Sequence, residues 1–126
     1  MVTKFNKKIP DLQLHYKIWL ANKDDIGILG DGKWNLLKLI HEKGSLKAAC
    51  EEMGYTYRRT WGTLKKIEEM LGFPLLDKQR GGIEGGKTEL TPEGLKLISA
   101  FEKFHASVDQ VIQKGFEDFI KELQSN

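Results

Sequence analysis

The stretch from Gly44 to Leu71 constrains the fold of this chain most, because it places two short helical patterns on either side of a glycine. Ser45 is a residue type that caps helix starts, so a helix is predicted from Leu46, and Gly54 is predicted to end it. A second helix is predicted from Thr56, because apolar residues then recur at steps of three and four, and Gly72 is predicted to end it. They are Tyr57, Trp61, Leu64, Ile67 and Leu71. Two helices joined by so short a turn predict a helix-turn-helix.

The side of the second helix that its apolar residues leave free is rich in basic residues. At about 100° per residue, this side and its flanks carry Arg58, Arg59, Gly62, Thr63, Lys65 and Lys66. Arg presents a planar fork to guanine edges or phosphate, and Lys presents a point charge to phosphate. The pattern therefore predicts a helix that enters the major groove of double-stranded DNA. A solvated charged face is the alternative, since most charged helix faces are of that kind.

Charge is unevenly distributed along the chain, whose overall formal charge is only +2. Residues 33–66 contain eight Lys or Arg against three acidic residues, which gives +5, whereas residues 101–126 contain three lysines against five acids, which gives −2. Positive potential is thus concentrated on the predicted helix-turn-helix. A single cysteine, Cys50, excludes an intrachain disulfide and is expected to be buried. No apolar stretch approaches the roughly 20 residues of a membrane span, so we expect a cytoplasmic protein with no membrane partner.

The flanking segments predict a mainly α chain with a small β-sheet, as in a winged helix-turn-helix. After residues 1–10, which we expect to be flexible, alternating apolar residues from Leu12 to Ile18 predict a strand with one buried face. Residues 33–43 predict the first helix, which Gly44 ends. Residues 75–80 and 87–90 predict a β-hairpin around a glycine-rich loop. We expect residues 1–126 to form one domain.

A long C-terminal helix is predicted over residues 92–125. Thr91 is a capping residue type, and Pro92 favours the first helical position. Gly115 is expected to interrupt this helix. The apolar residues form a coiled-coil-like seam that exceeds what so small a domain can cover, which predicts a homodimer. The predicted dimer interface comprises Leu97, Phe101, Phe104, Val108, Val111, Ile112, Phe116 and Phe119.

The predicted DNA-binding residues lie on the second helix of the helix-turn-helix, at its entry and near the hairpin tip. They are Ser45, Tyr55, Thr56, Arg58, Arg59, Thr63, Lys65, Lys66, Arg80 and Lys87. The helical residues are expected near base edges or flanking phosphates, and the hairpin residues near the DNA backbone or the minor groove.

One sequence pattern predicts a different function. Gly81 to Thr88 matches the phosphate-binding pattern G-x-x-x-x-G-K-[ST] letter for letter. That loop requires a long helix beginning at its Lys-Thr, whereas residues 88–90 are predicted to be extended and Pro92 follows closely. A nucleotide-binding enzyme is therefore a remote alternative. The three histidines show no metal-ligand spacing, and no catalytic constellation stands out, so we expect no enzyme, no metal and no cofactor.

Three runs of the sequence together resemble a known family: ILGDGKWNLLKLI, GSLKAACEEMGYTYRRTW and GGIEGGKTELTPEG. Over residues 10–125, the chain is similar to the N-terminal winged helix-turn-helix domain of ModE-type molybdate-responsive regulators, which is related to the DNA-binding domain of LysR-type regulators. The resemblance implies a recognition helix at Thr56 to Leu71, a wing at Arg80 to Lys87, and dimerisation through the C-terminal helix. It also implies that the N-terminal strand joins the wing hairpin in one sheet.

This sequence differs from that of the family at one point. ModE-type regulators that sense oxyanions carry an oxyanion-binding domain after the helix-turn-helix domain, whereas this sequence ends at Asn126, so we carry over no molybdate site. The leading hypothesis is a dimeric DNA-binding transcriptional regulator, and a two-fold dimer predicts a pseudo-palindromic operator. A stand-alone regulator, a partner of a separate sensor protein and a relative with another signal are all left open. The alternative is a winged-helix module for protein contacts, whose basic face docks an acidic partner.

Overall fold

The computed structural model describes residues 11–78 and 87–125 of the chain. In chain order the elements are β1 (Leu20–Ala21), β2 (Gly27–Leu29), α1 (Asp31–Lys43), α2 (Leu46–Met53), α3 (Tyr57–Leu71), β3 (Leu76–Lys78), β4 (Thr88–Leu90) and α4 (Pro92–Gln124). The strands form two antiparallel pairs, β1 with β2 and β3 with β4. The prediction of a mainly α fold with a helix-turn-helix and a hairpin is confirmed. Residues 1–10, predicted to be flexible, lie outside the described residues.

The first three helices end where the sequence predicts. Gly44, Gly54 and Gly72 follow α1, α2 and α3 with φ angles of 70°, 74° and 86°, a left-handed conformation that glycine adopts without a Cβ clash. Ser45 caps α2, because its Oγ accepts the amide proton of Ala48 with an N···O distance of 3.0 Å. Thr56 precedes α3 in an extended conformation, but its side chain makes no capping hydrogen bond.

A hydrophobic core joins α1, α2 and α3 to the hairpin and to the start of α4. Its buried residues are Leu29, Leu36, Leu37, Ile40, Leu46, Ala49, Cys50, Leu64, Ile67, Leu75, Leu76, Leu90 and Phe101. Tyr57, Trp61 and Leu71 of α3 are half-buried and pack against this core. The predicted apolar side of α3 is therefore the buried side, and the predicted burial of Cys50 is confirmed.

The β3–β4 hairpin is attached to α3 and α4 by hydrogen bonds. The Glu68 carboxylate of α3 accepts the amide protons of Leu75, at 2.7 Å, and Leu76, at 3.0 Å. Thr91 Oγ1 donates to the Pro74 carbonyl at 2.6 Å and accepts the amide proton of Gly94 at 2.9 Å. The predicted cap of α4 is thus present. The same Thr91 hydroxyl also binds the carbonyl of Pro74, which precedes the hairpin.

The prediction of a strand from Leu12 to Ile18 is wrong. None of the residues 12–19 is in a strand, and Leu12, Leu14 and Tyr16 are 46%, 41% and 39% exposed. Alternation fixes a buried face only where a neighbouring strand supplies ladder hydrogen bonds, and none of the described strands pairs with this segment. The first strand pair, β1 with β2, lies further along the chain. It surrounds a turn in which Asn22 Oδ1 accepts amide protons from residues 24 and 26 at 2.9 Å.

The expectation that the N-terminal strand joins the wing hairpin is also wrong for the described residues. β1 and β2 form one two-stranded sheet, and β3 and β4 form another. The β1–β2 ladder pairs Leu20 with Leu29 and Ala21 with Gly27. β2 then leads through Gly30 directly into α1, and its strand partner is its sequence neighbour β1 rather than the hairpin.

The interruption of α4 at Gly115 is wrong as well, because the helix continues from Pro92 to Gln124. A glycine inside a helix costs only about 1 kcal/mol relative to alanine, which the rest of a long helix offsets. The ion pair between Lys114 and Asp118, at 2.9 Å, spans the glycine position.

The described residues fall into two compact units. One consists of residues 18–101 and contains the helix-turn-helix, the hairpin and the start of α4. The other consists of residues 11–17 with residues 102–125, where Leu12 and Leu14 line a shallow apolar depression of about 420 Å³ with Ile112, Phe116 and Phe119.

Candidate nucleic-acid interface

The exposed side of α3 carries the basic residues that the sequence predicts there. Arg58, Arg59, Thr63 and Lys66 are all exposed, whereas Thr60, Leu64 and Ile67 of the same helix are buried. We call these four exposed residues the basic face. Among the residues that the structure describes, Arg58, Arg59 and Lys66 have no ion-pair partner. Their charges are therefore available to an external anionic partner.

Gly62 lies in the middle of the basic face. It is exposed, and a Cβ added there would meet nothing within 4 Å. The absence of a side chain lowers the surface of α3 at this point and allows close approach of a partner.

Lys65 differs from the other predicted contact residues on α3. Its Nζ lies 3.3 Å from the Glu68 carboxylate and 4.7 Å from the centroid of the Trp61 ring. Part of its charge is thus neutralised inside the domain, and the side chain is held toward the flank of α3. Lys65 remains half accessible, at 50% of its side-chain surface.

The residues at the entry to α3 are exposed on the same unit. Tyr55 is 44% exposed, and its backbone amide donates to the Cys50 carbonyl at 2.9 Å, which fixes the turn after α2. Thr56 is exposed with its hydroxyl unused for capping. Ser45 is half-buried, and its Oγ lone pair accepts the Ala48 amide proton, which leaves the hydroxyl proton available for donation.

The hairpin contributes one predicted residue within the described part of the chain. Lys87, directly before β4, is exposed, whereas Arg80 lies outside the described residues. Most of the phosphate-loop pattern, Gly81 to Gly86, also lies outside them. Its last residue, Thr88, is buried in strand β4, and the next helix begins only at Pro92, so the predicted extended conformation after Lys87 is confirmed.

The structure adds one basic residue that sequence patterns missed. Lys33, in the first turn of α1, lines a cleft of about 380 Å³ together with Tyr55, Arg59 and Thr63. Nothing in the local sequence marks Lys33, because it reaches the basic face only when α1 and α3 are packed together. The excess of positive charge from residue 33 onward was the only available signal.

Within residues 11–78 and 87–125, no group of three or more His, Cys, Asp or Glu side chains is placed to hold a metal ion. None of the helices described is both long and apolar enough to cross a membrane.

Comparison with known proteins identifies the family of this arrangement. The family model described as "Bacterial regulatory helix-turn-helix protein, lysR family" matches residues 33–95, a range that runs from α1 through the helix-turn-helix and hairpin into α4. This match covers half of the chain. The chain belongs to this family. The resemblance predicted from the sequence, to a regulatory helix-turn-helix domain related to LysR-type regulators, is confirmed.

The chain matches only part of the length of its curated relatives. The molybdenum-pterin-binding protein MopB of Rhodobacter capsulatus is 33% identical over 84 residues, which cover 67% of this chain and 31% of MopB. The molybdenum transport protein ModE of Azotobacter vinelandii is 24% identical over 71% of this chain and 35% of ModE. The DNA-binding transcriptional dual regulator ModE of Escherichia coli strain K12 is 28% identical over 66% and 30%. The chain thus spans about a third of the length of these relatives.

Among solved structures, ArgP of Mycobacterium tuberculosis is similar to part of the chain. The TM-score is 0.49 at 18% identity, over 67% of this chain and 30% of ArgP.

Proposed function

We propose that this chain is the DNA-binding part of a transcriptional regulator, and that α3 enters the major groove of an operator. The observation that carries the proposal is the basic face of α3, whose cations are exposed and unpaired among the described residues. It lies on the second helix of a helix-turn-helix, the element that reads the major groove in this motif. A relative from Escherichia coli is named a DNA-binding transcriptional dual regulator, which supports the same class. Such a protein acts in the cytoplasm and has no enzymatic activity.

The predicted residues divide into two roles under this proposal. Arg58, Arg59 and Thr63 contact base edges, because they project from the exposed side of α3 into the groove. Lys65, Lys66, Lys87 and Arg80 contact phosphates, with Tyr55, Thr56 and Ser45 donating hydroxyl protons to the backbone at the helix entry. The base contacts specify the sequence, and the phosphate contacts position the domain on it.

We also propose that the regulator binds as a homodimer through the later part of α4. Phe104, Val111 and Phe119 are 45%, 72% and 51% exposed, and Val108, Ile112 and Phe116 are half-buried beside them. Phe101 is only 3% exposed and its ring lies 5.2 Å from that of Trp34, and Leu97 packs against the same core. These two residues serve their own chain, so we leave them out of the proposed dimer interface.

A two-fold dimer requires an operator of matching symmetry. Its half-sites should lie about one helical turn apart or a multiple of it, roughly 34–36 Å per turn.

Selection of bound duplexes from a random-sequence pool tests this function. We expect enrichment of a pseudo-palindromic site. On the selected site, Arg58→Ala should weaken binding by about 1–3 kcal/mol and lose discrimination at one base-pair position in each half-site.

Lys87→Ala is the matched control for that experiment, because a phosphate contact carries no sequence information. It should weaken binding to every duplex by the same factor. An unenriched pool, or an Arg58→Ala loss that is equal on all duplexes, would contradict the assignment of α3 as the reading helix.

A further inference from the structure

A cleft beside the basic face brings together groups from three parts of the chain. Lys33 comes from the first turn of α1, Tyr55 from the turn before α3, and Arg59 and Thr63 from α3 itself. The cleft has a volume of about 380 Å³ and is open to solvent. Because Arg59 and Thr63 also belong to the basic face, a DNA strand that follows this face would run along the mouth of the cleft.

The polar side chains of the cleft are suited to bind an anion. Two are cations, Lys33 and Arg59, and neither has an ion-pair partner among residues 11–78 and 87–125. The others are hydroxyls of Tyr55, Thr63 and the buried Thr60. None of the described residues that line the cleft is a carboxylate. Asp31, in the same helical turn as Lys33, is exposed and is not part of the lining.

The backbone of the first turn of α1 lies close to the tyrosine. A Cβ added to Gly32 would lie 3.8 Å from the Tyr55 hydroxyl oxygen, which places this hydroxyl against the start of α1. A Cβ added to Gly30 would lie 3.0 Å from the Trp19 Cβ. Both glycines line the cleft together with Tyr55 and Trp19.

We propose that this cleft binds one phosphate of the DNA backbone and that Lys33 is its positioning residue. The inference rests on the proposed function, because it needs α3 on DNA. A phosphate accepts hydrogen bonds only, and Lys, Arg, Tyr and Thr can all donate them. Arg59 and Thr63 also belong to the basic face and keep their role at base edges, so Lys33 and Tyr55 supply the phosphate contact inside the cleft. Through Lys33, α1 thus holds the strand beside the groove and fixes the register in which α3 meets the bases.

The salt dependence of binding to a random-sequence duplex tests this proposal. Each phosphate contact contributes about 0.9 to the slope of log K against log salt. We expect Lys33→Ala to reduce the slope by about 0.9, so that raising salt from about 50 to about 200 mM weakens this variant about 3.5-fold less than the wild type. The affinity loss at low salt should be the same factor on every duplex. Tyr55→Phe should cause a smaller uniform loss.

Two controls separate this contact from general electrostatics and from misfolding. Lys96→Ala removes the same charge from an exposed position on α4 in the same compact unit and should retain the wild-type slope. Lys33→Arg keeps the cation and should restore the slope that Lys33→Ala loses.

The possible failures are distinguishable. Wild-type protein that does not bind duplex at low salt overturns the proposed function itself. Wild-type binding with a Lys33→Ala slope equal to that of Lys96→Ala overturns the phosphate contact and leaves the proposed function standing. A loss for Lys33→Ala that varies with duplex sequence also overturns it, because Lys33 would then read bases.

Discussion

Gly94→Ala is expected to lower the free energy of unfolding by about 1–3 kcal/mol or more. A Cβ at this position in α4 would lie 2.6 Å from the Leu75 carbonyl oxygen, a separation that real contacts do not show. That carbonyl is fixed, because it accepts the Thr91 amide proton at 2.9 Å. Relief of the clash would require the hairpin and the start of α4 to move apart, with loss of the Thr91 hydrogen bonds to Pro74 and Gly94.

Chemical denaturation of both Gly94→Ala and Gly62→Ala measures this effect. Gly62 is also inside a helix of the same compact unit, but a Cβ there would meet nothing within 4 Å. Alanine is the better helix former by about 1 kcal/mol, so Gly62→Ala should stabilise the domain. A Gly94→Ala variant as stable as the wild type would show that α4 is not held against the hairpin as described.

Glu68→Ala should destabilise the domain by about 1–3 kcal/mol for each backbone amide that it leaves without an acceptor. The Glu68 carboxylate accepts from the amides of Leu75 and Leu76, and both of these residues are buried. Glu69→Ala is the matched control, because Glu69 is the exposed neighbour on the same helix and should change stability by no more than about 0.5 kcal/mol. Equal stabilities of the two variants would contradict the role assigned to Glu68.

The same carboxylate gives stability a predictable dependence on pH. Partial burial raises the pKa of Glu68, but the amides of Leu76 and Leu75, followed by Lys65, outweigh burial and hold the pKa below its ordinary value of 4.5. A carboxyl group whose pKa is lower in the folded state stabilises fully above its unfolded pKa, and this contribution is lost as pH falls through the folded pKa. Unfolding measured from neutral pH to below pH 4.5 should show a weaker acid dependence for Glu68→Gln than for the wild type. An unchanged dependence would contradict this account.

The parts of the fold predicted correctly are those that local chemistry decides. Ser45, Gly54, Gly72 and the Thr91-Pro92 pair begin or end helices through groups within a few residues in sequence, so the bounds of α2 and α3 and the start of α4 could be predicted. The buried side of α3 also follows from its own periodicity, and the exposed basic face follows from the buried side.

The wrong predictions concern segments whose structure depends on residues distant in sequence, or on which of two opposing free-energy contributions is larger. The pattern from Leu12 to Ile18 is typical of a strand, but a strand also needs a neighbour, which local alternation does not provide. Glycine at position 115 does disfavour a helix, but its free-energy cost is small compared with the stability of a long helix. Glu68 could not be recognised as a hairpin anchor, because its partners Leu75 and Leu76 meet it only in the folded chain.

The candidate DNA-binding site also has a part that could be predicted from the sequence and a part that could not. Arg58, Arg59, Thr63 and Lys66 share one helix, so their common exposure could be predicted from spacing alone. The cleft that adds Lys33 could not, because it requires the packing of α1 beside α3. Which of these residues contact bases and which contact phosphates stays a prediction for experiment.

The most direct test of the central claim is fluorescence anisotropy of the purified protein with a labelled random-sequence DNA duplex across a salt series. The Arg58→Ala/Arg59→Ala double variant is measured alongside it. We predict that the wild type binds at low salt, that its affinity falls steeply with salt as bound counterions are released, and that the double variant binds much more weakly. No binding by the wild type at low salt, or identical binding by the double variant, would contradict the assignment of the basic face of α3 to DNA.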